Sequence, residues 1–227
     1  PFQPLIKIFN DDVNTIKEQN LKIYIGYDSR ESSPDICKLI IKGILRTNGD
    51  FPYVVCPLVT TPELHFVFSG LSCSYHSYLK KAIEPIQYPC IVDCANGIGS
   101  KKMLELKNSH IRLINTSWTS PQMLNENCSS DYVCSNHSLP SQSHLFDIKG
   151  SLRASLDGDA DRVVFYYSEN EKLNILNGDY IAALILTYLS KKLTSDTPLT
   201  IGYIYTGYTN NACVEYVKSL TFSENIQ

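Results

Sequence analysis

The sequence predicts an α/β protein with layered domains and mixed, mostly parallel sheets. Short apolar segments alternate along the chain with longer amphipathic ones, a pattern typical of strands that are joined by helices. The chain has 227 residues, of which 43% are hydrophobic, so it can bury the core of one large or two smaller domains. Ligands of such sheets bind at the carboxyl ends of the strands, and polar loops at those ends are the first candidates for function.

The first half of the chain contains four strand signals and four helix signals. A strand begins at Leu21 and is closed by Gly26, and the following helix has Ser33 as N-cap and Pro34 as its first residue. A further helix begins at Thr60. The other elements predicted here are strands over 53–56, 90–93 and 111–114, and helices over 78–86 and 96–106.

The second half begins with the least regular part of the chain. Residues 115–150 are rich in Ser, Asn and Pro and are predicted to form a long loop with short helical or extended pieces. Beyond it the sequence predicts strands over 152–156, 163–167 and 199–205, and helices over 180–193 and 210–220.

Composition and charge exclude several classes of function. The net charge of -3 and a pI of about 6.0 give no broad positive field, so no nucleic-acid partner is expected. No apolar run approaches the roughly 20 residues that span a bilayer, so no membrane partner is expected either. The eight cysteines are predicted to be reduced thiols, because disulfide frameworks belong to short secreted chains and this chain is long and rich in core residues. They also lack the paired spacing of a zinc site, so no structural zinc is expected. The chain begins at Pro1 without an initiator Met, and we expect the natural amino terminus to lie upstream.

The most informative motif is the acidic segment that runs from Asp157 to Arg162 between two apolar strands. Asp157, Asp159 and Asp161 alternate with small residues, so their oxygen atoms can point to one centre if the loop curls, and their mutual repulsion favours a bound cation. Oxygen ligands suit Mg²⁺ or Ca²⁺ better than zinc. A solvated acidic turn without a metal is the alternative that the spacing leaves open.

Two other motif interpretations are weaker. An EF-hand also starts with alternating Asp residues, but its sixth position, normally Gly, is Arg162, and its twelfth, normally Glu, is Ser168. The segment 96–99 is not a dinucleotide fingerprint, because the third glycine would fall at Lys102. Asp93 ends a strand, where function is possible, but helix capping is its default role.

Several motifs together resemble the α-D-phosphohexomutases. The segment 157–162 is similar to the metal loop of that family, and 26–30 (Gly-Tyr-Asp-Ser-Arg) resembles the turn of its first domain. Similar matches, in the family's order, occur at 59–65, 92–99, 176–179 and 201–211. Within the family, 60–65 and 93–99 are most similar to the members that act on N-acetylglucosamine phosphate.

The resemblance implies a fold, a reaction and a set of site residues. The chain would comprise the end of the first mutase domain (1–75), the second domain with the metal loop (76–196) and the start of the third (197–227). A phosphoserine would exchange a phosphoryl group with a hexosamine phosphate, converting N-acetylglucosamine 6-phosphate and 1-phosphate into each other in the cytoplasm. Asp157, Asp159 and Asp161 would hold Mg²⁺, and Arg162 would be catalytic by offsetting charge on the transferred group. Arg30 is near the same cleft in the family, but a structural role in its own turn is an equal alternative.

The departures from the family pattern are also informative. The chain has no Ser-His-Asn segment to supply the phosphoserine and no matching acid/base lysine, and the sugar and phosphate loops are expected beyond Gln227. The chain is therefore expected to be a fragment that is inactive alone. Two alternatives stay open: a glucose or mannose phosphate substrate, and a truncated, non-catalytic protein that binds Mg²⁺.

Overall fold

The computed structural model describes residues 22–46, 52–68, 75–146, 151–170, 172–193 and 201–220. Seven strands and seven α-helices are present within them. In chain order they are β1 Ile23–Tyr27, α1 Ser33–Arg46, β2 Tyr53–Pro57, α2 Thr61–Phe68, α3 Tyr75–Ile83, β3 Cys90–Asp93, α4 Ile98–Leu106, β4 Ile111–Ile114, α5 Ser130–Asn136, β5 Leu152–Leu156, β6 Val163–Glu169, β7 Lys172–Leu176, α6 Gly178–Lys192 and α7 Asn211–Ser219.

The strands form two sheets. Strands β1 and β2 pair in parallel as a two-stranded sheet, and the second sheet has the order β4-β3-β5-β6-β7. Strand β3 is parallel to both of its neighbours, whereas β5, β6 and β7 form an antiparallel meander. Three of the five described pairings are therefore parallel, which confirms the predicted mixed α/β fold.

Strand β3 is the centre of the larger sheet and explains where the polar loops meet. Its four residues are all buried, as expected for a parallel strand that is covered on both faces. Asp93 is in register with Ile114 of β4 and with Ser155 of β5. The carboxyl ends of three neighbouring strands therefore lie at one edge of the sheet, where the acidic segment 157–162 begins.

The irregular segment 115–146 is anchored to this edge by Asp93. The Asp93 carboxylate is fully buried and accepts hydrogen bonds from the backbone N of Ala95 (3.0 Å) and of Ser129 (2.8 Å) and from Asn115 Nδ2 (2.8 Å). Asn115 Oδ1 in turn accepts from Ser141 Oγ at 2.8 Å. The expectation that Asp93 caps a helix is wrong, because the N-cap of α4 is Gly97, which has no side chain.

The structure differs from the predicted elements at three places. The sequence analysis did not predict β7, which pairs with β6 from Lys172 to Leu176. Residues 201–206 are described without a strand, so the described part of the strand predicted over 199–205 is wrong; 199 and 200 lie outside the described residues. Helix α3 runs from Tyr75 to Ile83, about three residues earlier than predicted.

None of the described helices is both long and apolar enough to cross a membrane. The domain limits at 75/76 and 196/197 stay predictions.

Candidate metal centre

The acidic loop joins β5 to β6 and brings three carboxylates together. One oxygen atom from each of Asp157, Asp159 and Asp161 lies within 4.8 Å of the other two. Asp157 is buried, Asp159 is partly buried and Asp161 is exposed, so the cluster opens toward solvent on one side. Among the described residues, these three form the one group of three or more potential metal ligands.

Asp157 organises the turn that produces this cluster. Its Oδ1 accepts hydrogen bonds from the backbone N of Asp161 and of Arg162, both at 3.1 Å. Its carbonyl oxygen accepts from the N of Ala160 at 3.2 Å, and Ala160 has a positive φ of 58°. The left-handed backbone conformation is energetically costly for an alanine such as Ala160. The hydrogen bonds of Asp157 stabilise this tight turn, which brings the alternate carboxylates together.

Helix α4 packs its first turn directly against the loop, and this contact requires small residues. The N of Ile98 donates to the carbonyl oxygen of Gly158 at 3.1 Å. A Cβ atom on Gly97 would lie 2.2 Å from that same oxygen, and one on Gly99 would lie 3.0 Å from Ala160 Cβ. The glycines of the segment 96–99 therefore serve a close approach of backbone to backbone, consistent with the predicted tight strand-to-helix turn.

Helix α2 contacts the loop from the side of the smaller sheet. Thr61 Oγ1 donates to Asp159 Oδ2 at 2.8 Å, and Thr61 N donates to the Asp159 carbonyl oxygen at 3.2 Å. Close by in α2, Glu63 forms an ion pair with Lys102 of α4 at 2.9 Å, and both side chains are less than one-fifth exposed. The acidic loop is therefore held between the first helical turns of α2 and α4.

Arg162 is bound by carboxylates from two directions. Its Nε donates to Asp157 Oδ2 at 2.9 Å, while Nη1 and Nη2 donate to the two carboxylate oxygens of Asp131 at 2.6 and 2.9 Å. The hydrogen bonds that Arg162 donates to Asp131 and, next in effect, to Asp157 raise its already high pKa, so its positive charge is permanent. The guanidinium side chain is 58% exposed, so it stays accessible. Its catalytic role stays a prediction.

The protonation equilibria of Asp157 and Asp161 are shifted in opposite directions. Burial acts to raise the pKa of Asp157, but hydrogen bonds from the Arg162 backbone, from Asp161 and from the guanidinium outweigh it and lower the pKa. The pKa of Asp161 is raised, first by its hydrogen bond to Asp157 and further by burial and by the negative charges of Asp157 and Asp159. Crowding of the three carboxylates therefore makes Asp161 release its proton less readily than an ordinary aspartate.

The donor set fits a hard divalent cation. Three carboxylate oxygens are ligands of the type that Mg²⁺ and Ca²⁺ take, and no sulfur or imidazole joins them among the described residues. A site with three protein ligands leaves positions for water or a phosphate oxygen. The observed proximity meets the geometric requirement of the predicted metal site, while metal binding itself stays a prediction.

Arg30 is held in its own turn at the edge of the same cleft. Its guanidinium pairs with Asp28 Oδ2 at 2.9 Å, and Asp28 Oδ1 accepts from Arg30 N and from Ser33 Oγ. Arg30 and Asp159 line one cavity of about 210 Å³. These contacts support the structural alternative for Arg30 without removing it from the neighbourhood of the centre.

Sequence reasoning did not identify two of the residues that contact the centre. Thr61 was interpreted only as part of a helix start, and Asp131 was not singled out. Thr61 is 98 residues from its partner Asp159, and Asp131 is 31 residues from Arg162. No local pattern could reveal such contacts, because they depend on how the two sheets and the irregular segment pack.

Two family models match the chain in succession. Residues 5–91 match "Phosphoglucomutase/phosphomannomutase, alpha/beta/alpha domain I", and residues 64–164 match "Phosphoacetylglucosamine mutase AMG1, domain II". The two matches overlap across 64–91 and together include the whole acidic loop.

Curated relatives agree with these matches. The chain is 32% identical to the phosphoacetylglucosamine mutase of Candida albicans, over 87% of this chain and 41% of that protein. It is also 32% identical to the human phosphoacetylglucosamine mutase, over 89% of this chain and 41% of that protein. The chain thus spans about two-fifths of the length of the curated relatives that it matches.

Solved structures show the same relationship. An N-acetylglucosamine-phosphate mutase in its apo form, described as a member of the α-D-phosphohexomutase superfamily, matches with a TM-score of 0.77 and 30% identity, over 100% of this chain and 55% of that one. The Aspergillus fumigatus N-acetylphosphoglucosamine mutase in complex with GlcNAc-6P and magnesium matches with a TM-score of 0.76 and 26% identity, over 96% and 49% of the two chains. Sequence, fold and motif order therefore agree, and the chain belongs to the α-D-phosphohexomutase family.

Proposed function

We propose that this chain forms the Mg²⁺-binding region of an N-acetylglucosamine-phosphate mutase, with Asp157, Asp159 and Asp161 as the metal ligands. The observation that carries the proposal is the convergence of these three carboxylates within 4.8 Å. The matched relatives, which are phosphoacetylglucosamine mutases, support the reaction and the sugar. The solved relative that contains GlcNAc-6P and magnesium supports both ligands.

The chemistry of phosphoryl transfer explains why such a centre suits the reaction. A transferred phosphoryl group carries negative charge on its oxygen atoms, and catalysis consists mostly of positioning and charge stabilisation. A bound Mg²⁺ would supply Lewis-acid stabilisation of phosphate oxygens. The three carboxylates would hold the Mg²⁺ ion at the edge of the larger sheet where β3 and β5 have their carboxyl ends.

Arg162 is proposed to supply a second positive charge beside the ligands. Its Nε is already hydrogen-bonded to Asp157, so the guanidinium is oriented relative to the metal loop. Because its side chain is more than half exposed, it can approach a phosphate group without being pulled out of a core. A planar guanidinium matches phosphate oxygens in a two-point contact, which Arg162 would make in exchange for its present two-point contact with Asp131.

The complete reaction is proposed to need groups that these 227 residues do not contain. The sequence has no Ser-His-Asn segment for the phosphoserine, and the chain spans about two-fifths of its curated relatives. We therefore propose that the chain alone binds Mg²⁺ without turnover, and that interconversion of N-acetylglucosamine 6-phosphate and 1-phosphate requires further polypeptide. A cytoplasmic location, where hexosamine phosphates would be the substrates, is part of the same proposal.

Metal binding is tested by titrating the purified chain with MgCl₂ in a calorimeter. The Asp159→Ala variant should lose more Mg²⁺ affinity than the roughly 10- to 100-fold that loss of an outer-shell partner costs, because it removes a charged ligand from a three-ligand site. Asp35→Asn is the matched control, since it removes a carboxylate that pairs only with Lys38 on the exposed side of α1. Equal Mg²⁺ affinity of the Asp159→Ala variant and the unsubstituted chain would contradict the assignment.

Turnover is tested by ³¹P NMR on a polypeptide in which this chain is joined to the remaining mutase regions. N-acetylglucosamine 6-phosphate should be converted in the presence of Mg²⁺, and glucose 6-phosphate should be converted more slowly. Preference for glucose or mannose phosphate would reassign the sugar within the family. A joined polypeptide that binds Mg²⁺ but converts none of these sugars would favour the non-catalytic alternative.

A further inference from the structure

Thr61 contacts Asp159 through both its side chain and its backbone. The hydroxyl donates to Asp159 Oδ2 at 2.8 Å, and the backbone N donates to the Asp159 carbonyl oxygen at 3.2 Å. Asp159 is the middle member of the acidic loop, and Thr61 is the first residue of α2, a helix of the smaller-sheet region. The contact therefore joins a helix beside the smaller sheet to a loop of the larger sheet.

The hydroxyl holds the carboxylate of Asp159 from outside the acidic loop. Asp157 is fixed by two backbone N–H groups and by Arg162. Asp159 has its position set from outside the loop, by Thr61. A hydrogen bond to one carboxylate oxygen fixes the rotamer and leaves the other oxygen free to point at a cation.

A partly buried ion pair reinforces this arrangement from the same helix turn. Glu63 Oε1 pairs with Lys102 Nζ at 2.9 Å, with side-chain exposures of only 16% and 18%. Glu63 N also donates to Thr60 Oγ1 at 3.2 Å, which caps the start of α2. The helix start that presents Thr61 is thus attached to α4, whose own first turn packs on the acidic loop.

We propose that Thr61 is a positioning residue for the metal ligand Asp159, and that Mg²⁺ binding and the packing of α2 against the acidic loop are thermodynamically coupled. This inference rests on the proposed Mg²⁺ site. If α2 holds Asp159 in its binding rotamer, a bound cation must stabilise the contact of α2 with the loop by the same factor, because coupling between two equilibria is reciprocal.

The coupling is tested by two substitutions at one position. Thr61→Val keeps the shape of the side chain and removes the hydroxyl, whereas Thr61→Ser keeps the hydroxyl. In titrations of the 227-residue chain with MgCl₂ alone, Thr61→Val should lower the affinity by about 10- to 100-fold, the usual range for loss of a partner that orients a metal ligand. Thr61→Ser should stay within about threefold of the unsubstituted chain.

A second measurement separates positioning from general damage to the fold. Backbone amide hydrogen exchange in α2 should slow when MgCl₂ is added to the unsubstituted chain and to Thr61→Ser. This Mg²⁺-dependent slowing should be absent or much smaller in Thr61→Val, while exchange in β3 should be the same in all three proteins without metal. If Thr61→Val does not fold, Thr61→Ala removes the same hydroxyl and replaces it in both measurements.

Each outcome decides the proposal. Weaker Mg²⁺ binding and loss of Mg²⁺-dependent protection in the variant without the hydroxyl, with rescue by serine, would support it. Unchanged Mg²⁺ affinity in Thr61→Val would overturn the positioning role and leave the metal site in place. Failure of the unsubstituted chain to bind Mg²⁺ would overturn the metal site first and the positioning role with it, so the two failures are distinguishable.

Discussion

Asp93 and Asp157 are two buried carboxylates at the same edge of one sheet, and they have different partners. Asp93 ends β3 and accepts hydrogen bonds from three neutral N–H donors, two of them in the irregular segment. Asp157 follows the neighbouring strand β5 and faces two more carboxylates and a guanidinium. Burial alone therefore does not mark a metal ligand, whereas crowding of several carboxylates around one point does.

The same contrast extends to what each acid supports. Asp93 fixes the segment 115–146, which has little regular structure of its own, so its charge is used for architecture. Asp157 stabilises a turn of only six residues, and that turn places three carboxylates in a cluster that is open to solvent on one side. If this contrast holds, loss of Asp93 should mainly lower the free energy of unfolding, whereas damage to the acidic loop should also weaken Mg²⁺ binding.

The largest expected effect on stability is that of Asp93→Ala. The substitution leaves three buried donors without their acceptor, and each orphaned donor costs about 1–3 kcal/mol. We expect the free energy of unfolding to fall by about 3–5 kcal/mol, measured by urea denaturation followed by circular dichroism. Asp93→Asn should lose less, because its amide keeps one acceptor oxygen. A loss below about 1 kcal/mol for Asp93→Ala would contradict the anchoring role.

Gly97→Ala should damage the acidic loop through packing alone. The new Cβ would lie 2.2 Å from the Gly158 carbonyl oxygen, so the backbone of the loop or of α4 must shift. We expect a loss of about 1–3 kcal/mol in the free energy of unfolding, together with weaker Mg²⁺ binding, measured by denaturation and calorimetry on the same samples.

Gly43→Ala is the control for that substitution. A Cβ atom on Gly43 in α1 would meet nothing within 4 Å, so the change should be neutral or should stabilise the chain by about 0.5–1 kcal/mol. If Gly97→Ala behaves like Gly43→Ala in both measurements, the close contact of α4 with the loop is not required.

The smallest expected effect is a change in the alkaline stability of the region around Asp93. Burial, followed by the negative charge of Asp93, raises the pKa of the Cys128 thiol to about 12. The folded state therefore favours the neutral thiol, so stability is fully present below pH 9, the ordinary thiol value, and is lost as the pH rises from there toward 12. The slope for one thiol is at most about 1.4 kcal/mol per pH unit.

Urea denaturation at several pH values between 8 and 10.5 measures this slope. The Cys128→Ala variant should show a shallower decline with pH than the unsubstituted chain. Cys134 is exposed, so Cys134→Ala should change the slope less. A decline that is identical in the unsubstituted chain and Cys128→Ala would show that other groups cause the alkaline loss.

Much of the fold could be predicted because local patterns determined it. Strands β3 and β4 were predicted with their observed limits, since each is a four-residue segment in which three residues are apolar. Strand β7 was missed because its sequence, Lys-Leu-Asn-Ile-Leu, alternates polar and apolar residues over too short a run to stand out, and pairing with β6 stabilises it. Residues 201–205 of the strand expected over 199–205 show the opposite error, because an apolar run becomes a strand only where a partner strand pairs with it.

The candidate site, like the fold, was predictable only where the signal is local in sequence. The alternating carboxylates indicated a cluster from spacing alone, and the structure brings them together. The anchoring role of Asp93 and the contacts of Thr61 and Asp131 were not predictable, because each depends on donors or acceptors that lie 22 or more residues away.

The contact between Thr61 and Asp159 also has a consequence for how the chain folds. Its two ends are separated by 98 residues, and closing so long a loop has an entropic cost that local contacts do not share. Helices α2 and α4 and the strand pairs of the larger sheet can form from nearer contacts. We therefore expect the cation-binding arrangement to be among the last parts of the molecule to assemble during refolding.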